Sequence, residues 1–181
     1  GEYVLYLGRY DINQKGIDLL LEAYSKKRKE LKLPLLFVGI GPDIKRIKKL
    51  VSAHKLDKFV TIQGPAYDKD KLEILSRASY VAFPSRNEGF SLFALEALAS
   101  AVPLVSFDIP GLSWVNNRIT LKAKPFDVEA YSELLVKAQD AKVRSFMSKS
   151  SREFARKYTW DSVSKKFETF FLEITSQKYA N

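Results

Sequence analysis

Five short apolar runs recur along this chain: Val4–Leu7, Leu35–Val38, Phe59–Ile62, Tyr80–Phe83 and Leu104–Phe107. Each gives way within two residues to Gly, Pro or Asp and, for the first four, then to a stretch with helical spacing. Strands this uniformly apolar have no solvent face, so both of their sides must be covered. Strand, helix and strand in repetition satisfy that need in one way, an α/β Rossmann-like parallel sheet with helices on both faces. The spacing predicts helices over Ile17–Leu31, from Pro42 to about His54, over Asp68–Arg77, and from near Ser91 towards Val102. Ile119–Leu121 is a candidate sixth strand. Val128 to about Lys137, Val143–Lys157 and Trp160 to about Ser176 read as C-terminal helices.

The 181 residues suffice for one domain over 1–181, with a sizeable core. The only methionine is Met147, and Gly1-Glu2-Tyr3-Val4-Leu5 reads as a strand start. The chain is therefore expected to be a piece of something longer. No apolar run reaches the roughly 18 residues needed to span a bilayer. Cysteine is absent, which removes thiol chemistry and zinc-thiolate sites and is compatible with a reducing compartment. The net charge of +9 favours anionic ligands. Much of that charge is also explained by solvated helix faces. Lys45, Arg46, Lys48 and Lys49 alternate with an inward stripe of Ile44, Ile47, Leu50 and Val51, and Lys26 to Lys29 end a helix where cations suit the dipole.

Parallel sheets bind ligands beyond the carboxyl ends of their strands, near the switch in strand order. That rule selects the loops Gly8–Gly16, Gly39–Pro42, Gly64–Tyr67, Pro84–Phe90 and Asp108–Trp114. The loop and helix from Phe83 to Phe107 carry the most information. Between Leu92 and Val102 the only polar side chains are Glu96 and Ser100, so this helix is expected to be buried nearly all round. Glu96 then needs a partner, either a basic side chain or the hydroxyls of a ligand.

Three readings of Glu88 and Glu96 stand side by side. As a glycosidase pair they are about 12 Å apart along a helix axis, too far for that chemistry, although Glu88 lies on the loop. As structural residues, Glu88 is a solvent residue near a helix start and Glu96 a buried ion pair. In the third reading, the amides of Phe90, Ser91 and Leu92 make an anion site at the helix N-terminus, and Glu96 accepts from ribose hydroxyls. Arg9 and Lys15, beside Gly8 and Gly16, are suited to a diphosphate: arginine by a forked contact, lysine as a point charge.

Gly39-Ile40-Gly41-Pro42 lacks the third glycine of a dinucleotide fingerprint and reads as a tight strand-to-helix turn. Asp68 and Asp70 have the spacing of a chelating pair but stand at a helix start, where aspartate caps. His54 falls at a helix end, and Trp160 is expected in the core. Basic loops without an aromatic ladder argue against nucleic acid.

Glu88-Gly89-Phe90-Ser91-Leu92, Leu95-Glu96-Ala97 and Pro103-Leu104-Val105 together resemble the Glu-seven-residues-Glu motif of retaining glycosyltransferases with the GT-B fold, the family-four type (glycosyl transferases group 1). Gly8-Arg9 with Lys15-Gly16 is similar to that family's diphosphate loop. Val38 to Pro42, Gly64, Pro84-Ser85 and Tyr158-Thr159-Trp160 follow in the expected order, so the resemblance spans most of the chain.

The resemblance implies the C-terminal, donor-binding half of a two-domain enzyme whose N-terminal acceptor-binding domain is absent from this chain. Arg9 and Lys15 would hold the diphosphate of a UDP-, GDP- or ADP-sugar. Glu88, as the catalytic-site carboxylate, and the amides of Phe90, Ser91 and Leu92 would face the donor sugar and distal phosphate, and Glu96 the ribose. No metal or other cofactor is implied. The alternatives are a non-catalytic nucleotide-binding or interaction module with the same fold, or a GT-B phosphorylase or epimerase. A cytoplasmic location is expected, peripheral at the membrane if the acceptor is lipid-linked. Ala101 and Ser91 stand where the family usually has glycine, and Trp114 about where many members have glutamate.

Overall fold

A computed structural model describes residues 1–178; the last residues of the expected domain, Tyr179 to Asn181, lie outside them. Six strands form one parallel sheet: β1 (Tyr3–Leu7), β2 (Leu35–Val38), β3 (Val60–Gln63), β4 (Ala78–Phe83), β5 (Leu104–Phe107) and β6 (Thr120–Ala123). Their order is β3-β2-β1-β4-β5-β6, so the order reverses between β1 and β4. The register pairs Leu5 with Leu36 on one side and with Val81 on the other. The helices are α1 (Ile12–Lys15), α2 (Ile17–Lys26), α3 (Ile44–Ala53), α4 (Asp68–Arg77), α5 (Leu92–Ala99), α6 (Val128–Lys137), α7 (Ala141–Ala155) and α8 (Trp160–Lys178).

The expected fold class is the observed one, because strands apolar on both faces admit little else. Val4, Leu5, Leu35, Phe37, Val81, Leu104 and Val105 are fully or almost fully buried. Each such side chain contributes roughly 1.5–3 kcal/mol of transfer free energy. α2 packs on α3 and α6, while α5 packs on α7. Two tyrosines pin α6 to the sheet. Tyr131 donates to the Val105 carbonyl at 3.1 Å, and the sheet's own Tyr80 donates to the Leu135 carbonyl at 2.8 Å. Burial pushes both phenols well above their ordinary range.

The structure corrects several expectations. The Gly8–Gly16 loop contains one helical turn, α1. α2 ends at Lys26 rather than Leu31, and a turn region carries the chain on to the buried Leu31. β3 and β6 each start one residue later than the apolar runs suggest. Asp68 does not cap α4; the N-cap is Tyr67, and Asp68 and Asp70 both lie in the first turn, where they favour the dipole.

α5 is not buried all round. Ala94, Ala97 and Leu98 are inward, but Leu92 is 62% exposed and Ala99 is exposed as well. Trp160 is 83% exposed rather than in the core. It opens α8, which makes few contacts with the other elements and leaves Phe167, Phe170, Phe171, Leu172 and Ile174 exposed.

Candidate functional site at the switch point

The loop after β1 is held in place by backbone. Gly8 donates to the Val38 carbonyl at 3.0 Å and Tyr10 to the Ile40 carbonyl at 2.8 Å, zipping the β1 and β2 loops together. The two glycines of Gly39-Ile40-Gly41 permit that approach. A Cβ on Gly39 would stand 1.9 Å from the Gly8 carbonyl oxygen, and one on Gly41 would stand 2.4 Å from that of Tyr10. The pair thus serves loop-to-loop packing, a closer constraint than the tight turn expected.

α1 then carries the chain towards the β4 loop. Asp11 caps it, accepting from the Gln14 amide at 3.0 Å, and Asp43 accepts from the Ile12 amide at 2.8 Å. Gly16 ends the turn in the left-handed region, φ 63°, where glycine carries little strain. Its Cα lies so close to β4's exit that a Cβ would stand 2.0 Å from the Pro84 carbonyl oxygen.

Arg86 completes the junction. Its guanidinium makes a two-pronged contact with Asp18 at 2.8 Å on each arm and also donates to the Ile12 carbonyl at 2.9 Å. Its amide donates to the Gln14 carbonyl at 2.9 Å. Burial opposes ionisation of Asp18, but the hydrogen bonds and charge of Arg86 outweigh it and hold the carboxyl below the ordinary carboxylate range.

These loops bring together residues far apart in sequence. Arg9, Lys15, Ser85, Ser91 and Phe93 line one cavity of about 270 Å³, walled at its base by Tyr6 and Phe83. Arg9 is the accessible cation, 58% exposed, paired with Asp11 at 3.2 Å and hydrogen-bonded to Gln14. Lys15 is more enclosed and donates to Glu88 Oε1 at 2.6 Å; the Glu88 side chain is only 9% exposed. The Glu88 backbone in turn lies against Gly111, where a Cβ would stand 2.1 Å from the Glu88 carbonyl oxygen. A second, more apolar cavity of about 400 Å³ shares Leu7, Gly8 and Arg9 with the first and extends along Val38 to Gly41, Pro65 and Tyr67.

The α5 N-terminus borders the first cavity. Ser91 holds the left-handed conformation, φ 60° and ψ 87°, and its Oγ accepts from the Ala94 amide at 3.2 Å. Phe90 and Leu92 do not line the cavity; their side chains face a groove against α8, so any contribution to an anion site is through their amides. Phe90 stacks on Trp114 with ring centroids 4.4 Å apart, and Trp114 Nε1 donates to the carbonyls of Phe90 at 2.9 Å and Gly111 at 3.0 Å. Trp114 also meets Tyr158 edge-on at 5.2 Å. It therefore links the Glu88–Phe90 loop to the C-terminal region. Glu96, one turn past Phe93, pairs with Lys71 at 2.7 Å. Of the two kinds of partner open to Glu96, the structure supplies the basic side chain.

Each carboxylate of the Glu88–Glu96 pair thus has its own lysine. Among the described residues no group of three or more His, Asp or Glu side chains could hold a metal ion. Sequence reasoning did not single out Arg86, Asp18 or Lys71. Arg86 lies within a selected loop, the one available pointer; Asp18 and Lys71 sit on ordinary charged helix faces.

The chain belongs to the glycosyl transferases group 1 family, whose description matches residues 1–140. Among curated relatives it is 24% identical over 162 residues to an uncharacterized glycosyltransferase of Methanocaldococcus jannaschii, covering 87% of this chain and 44% of that protein. It is 30% identical over 176 residues to the mannosylfructose-phosphate synthase of Agrobacterium fabrum, covering 90% and 38%. Its fold superposes on the pneumococcal O-GlcNAc transferase GtfA, solved with UDP and GlcNAc, with a TM-score of 0.82 at 20% identity, covering 96% of this chain and 36% of that one. The chain therefore spans less than half the length of these proteins, as one half of a GT-B fold.

Proposed function

We propose that this chain is the donor-binding half of a retaining glycosyltransferase that moves a sugar from a UDP-, GDP- or ADP-sugar to an acceptor. The observation that carries this is the cavity at the β1/β4 switch point, where Arg9, Lys15 and Ser91 converge beside the start of α5. Arg9 and Lys15 take the diphosphate, and the amides of Phe90, Ser91 and Leu92 face the distal phosphate. Fixed cations and helix-end amides stabilise the charge that develops on the departing diphosphate, with no metal required. The adjoining apolar cavity takes the base, and Glu96 accepts from the ribose. Glu88, reached through Lys15, faces the donor sugar; it acts as a polar contact there, with no covalent nucleophile from this half. That the pneumococcal GtfA of this fold was solved with UDP supports a nucleotide ligand.

The acceptor comes from a second, N-terminal half. The uncovered aromatic side chains of α8 support this, since an isolated helix with such a face is marginal without a partner. A lipid-linked acceptor at a membrane surface fits the net charge of +9. Among the described residues no helix is long and apolar enough to cross a membrane.

Calorimetric titration of the chain with UDP, GDP and ADP, without metal and again with magnesium, tests the reading. The expected result is metal-independent binding to one of them, weakened at least about tenfold by Arg9→Ala, which removes charge-assisted hydrogen bonds. No binding to any of the three at millimolar concentration overturns it. Retention is tested separately, by the anomeric configuration of product made by a chain that carries both halves.

A further inference from the structure

Lys71 lies on α4 and Glu96 on α5. What they share is that each helix starts at the wall of one of the two cavities. Tyr67, the N-cap of α4, walls the second cavity; Lys71 stands one turn further along, its amide bonded to the Tyr67 carbonyl at 3.2 Å. Ser91 and Phe93, at the start of α5, wall the first cavity, and Glu96 stands one turn beyond Phe93. The 2.7 Å contact from Lys71 Nζ to Glu96 Oε1 therefore ties the helix that starts at the apolar cavity to the helix that starts beside the diphosphate cavity, while Glu96 itself lines the groove against α8. In a nucleoside diphosphate, the ribose is the group between phosphate and base.

Resting on the donor-site reading above, we propose that Lys71 is a positioning residue for the ribose. The ammonium holds one oxygen of Glu96, which fixes the carboxylate's rotamer and leaves Oε2 to accept from the 2′- and 3′-hydroxyls. Glu96 is 41% exposed in its side chain and Lys71 26%. A carboxylate that open has several solvated rotamers without a partner, and ordering it at the moment of binding opposes association. Lys71 removes that cost beforehand. It touches no reacting atom, so its effect appears only in ligands that have the hydroxyls Glu96 reads.

The test is titration of wild type, Lys71→Met, Lys71→Arg, Glu96→Gln and the Lys71→Met/Glu96→Gln double variant. The probes are the nucleoside diphosphate that the wild type binds and its 2′,3′-dideoxy counterpart. Lys71→Met is expected to weaken the ribose form about five- to tenfold, the scale of ordering one free side chain on binding, and to leave the dideoxy form unchanged. Lys71→Arg restores most of the loss, and Lys71→Met adds nothing in the Glu96→Gln background. Equal weakening of both probes, or none of either, overturns the inference while leaving the donor-site reading in place. A wild type that binds no nucleoside diphosphate overturns that reading and this inference with it.

Discussion

Two lysine–glutamate pairs flank the same helix start and differ in how much water reaches them. Lys15 and Glu88 are 19% and 9% exposed in their side chains; Lys71 and Glu96 are 26% and 41% exposed. Their bond lengths, 2.6 and 2.7 Å, are nearly the same. Geometry alone would rank them equal. Their surroundings do not. Glu88 lies in a loop backed by Gly111 and tied through Arg86 to α1 and α2, so a charge left there without its lysine has little solvent to turn to. Glu96 stands at the edge of a groove and stays hydrated with or without Lys71. The first pair is therefore part of the fold, and the second carries little structural weight.

The largest expected effect follows from that contrast. Lys15→Ala is expected to cost about 2–3 kcal/mol of stability, since it strands a nearly buried carboxylate, whereas Lys71→Ala is expected to cost about 0.5 kcal/mol or less, as for an exposed pair. Urea unfolding of both variants checks this. Replacing both members of the first pair, Lys15→Met with Glu88→Gln, should recover most of the lost stability, because no charge is then left alone. Nucleoside diphosphate binding should stay impaired in that double variant, since Lys15 is a diphosphate cation in the proposed site. Equal destabilisation by the two alanine variants would break the comparison.

The Arg86–Asp18 contact sharpens it. If the loop around Glu88 is rigid because Arg86 clasps it to α2, weakening Asp18 should loosen that loop and leave the α4–α5 pair untouched. Asp18→Asn is expected to cost about 1 kcal/mol after allowance for solvent screening at this partly exposed pair. The effect depends on pH. The Asp18 carboxyl is held below its ordinary value of 3.8 in the folded chain. Its stabilisation is therefore fully present above that value and is lost as pH falls below 3.8 and through the lower folded pKa. Thermal unfolding of wild type and Asp18→Asn should differ by a constant amount near neutral pH and converge in acid. A difference that widens in acid would place the clasp elsewhere.

The sheet is legible in the sequence because a strand apolar on both faces carries its requirement within itself. The same holds for α4 and α6, whose limits, Asp68–Arg77 and Val128–Lys137, match the periodic stretches. Burial of α5 is not legible in that way. Leu92 and Leu95 are as apolar as Leu98, yet only Leu98 is buried, because α7 covers one side of α5 and an open groove lies along the other. Trp160 fails for the same reason: residue type states a preference, and the neighbour decides. Arg9, Lys15 and Ser91 are legible as a set because loop position after a strand fixes where they emerge. Lys71, Asp18 and Arg86 are not, because a charge on a helix carries no pointer to a partner 25 or 68 residues away.

The smallest expected effect concerns the other end of α5. The helix stops with the Val102 amide bonded to the Ala97 carbonyl at 2.9 Å and the Ala101 amide to that of Leu98 at 3.0 Å. That pattern puts Ala101 in the left-handed position usually taken by glycine, and its φ is 58°. Ala101→Gly should relieve the Cβ strain and stabilise the chain by about 0.5–1 kcal/mol, less whatever the glycine adds to the freedom of the unfolded chain. The substitution also separates two explanations of Glu96. If strain carried along α5 sets the Glu96 position, relieving it will shift nucleotide affinity as well as the unfolding midpoint. If Lys71 sets it, the midpoint should rise by a few degrees while the affinity for the nucleoside diphosphate and its dideoxy counterpart stays as in the wild type, because the contact that orders the carboxylate lies on α4 and does not pass through the helix end.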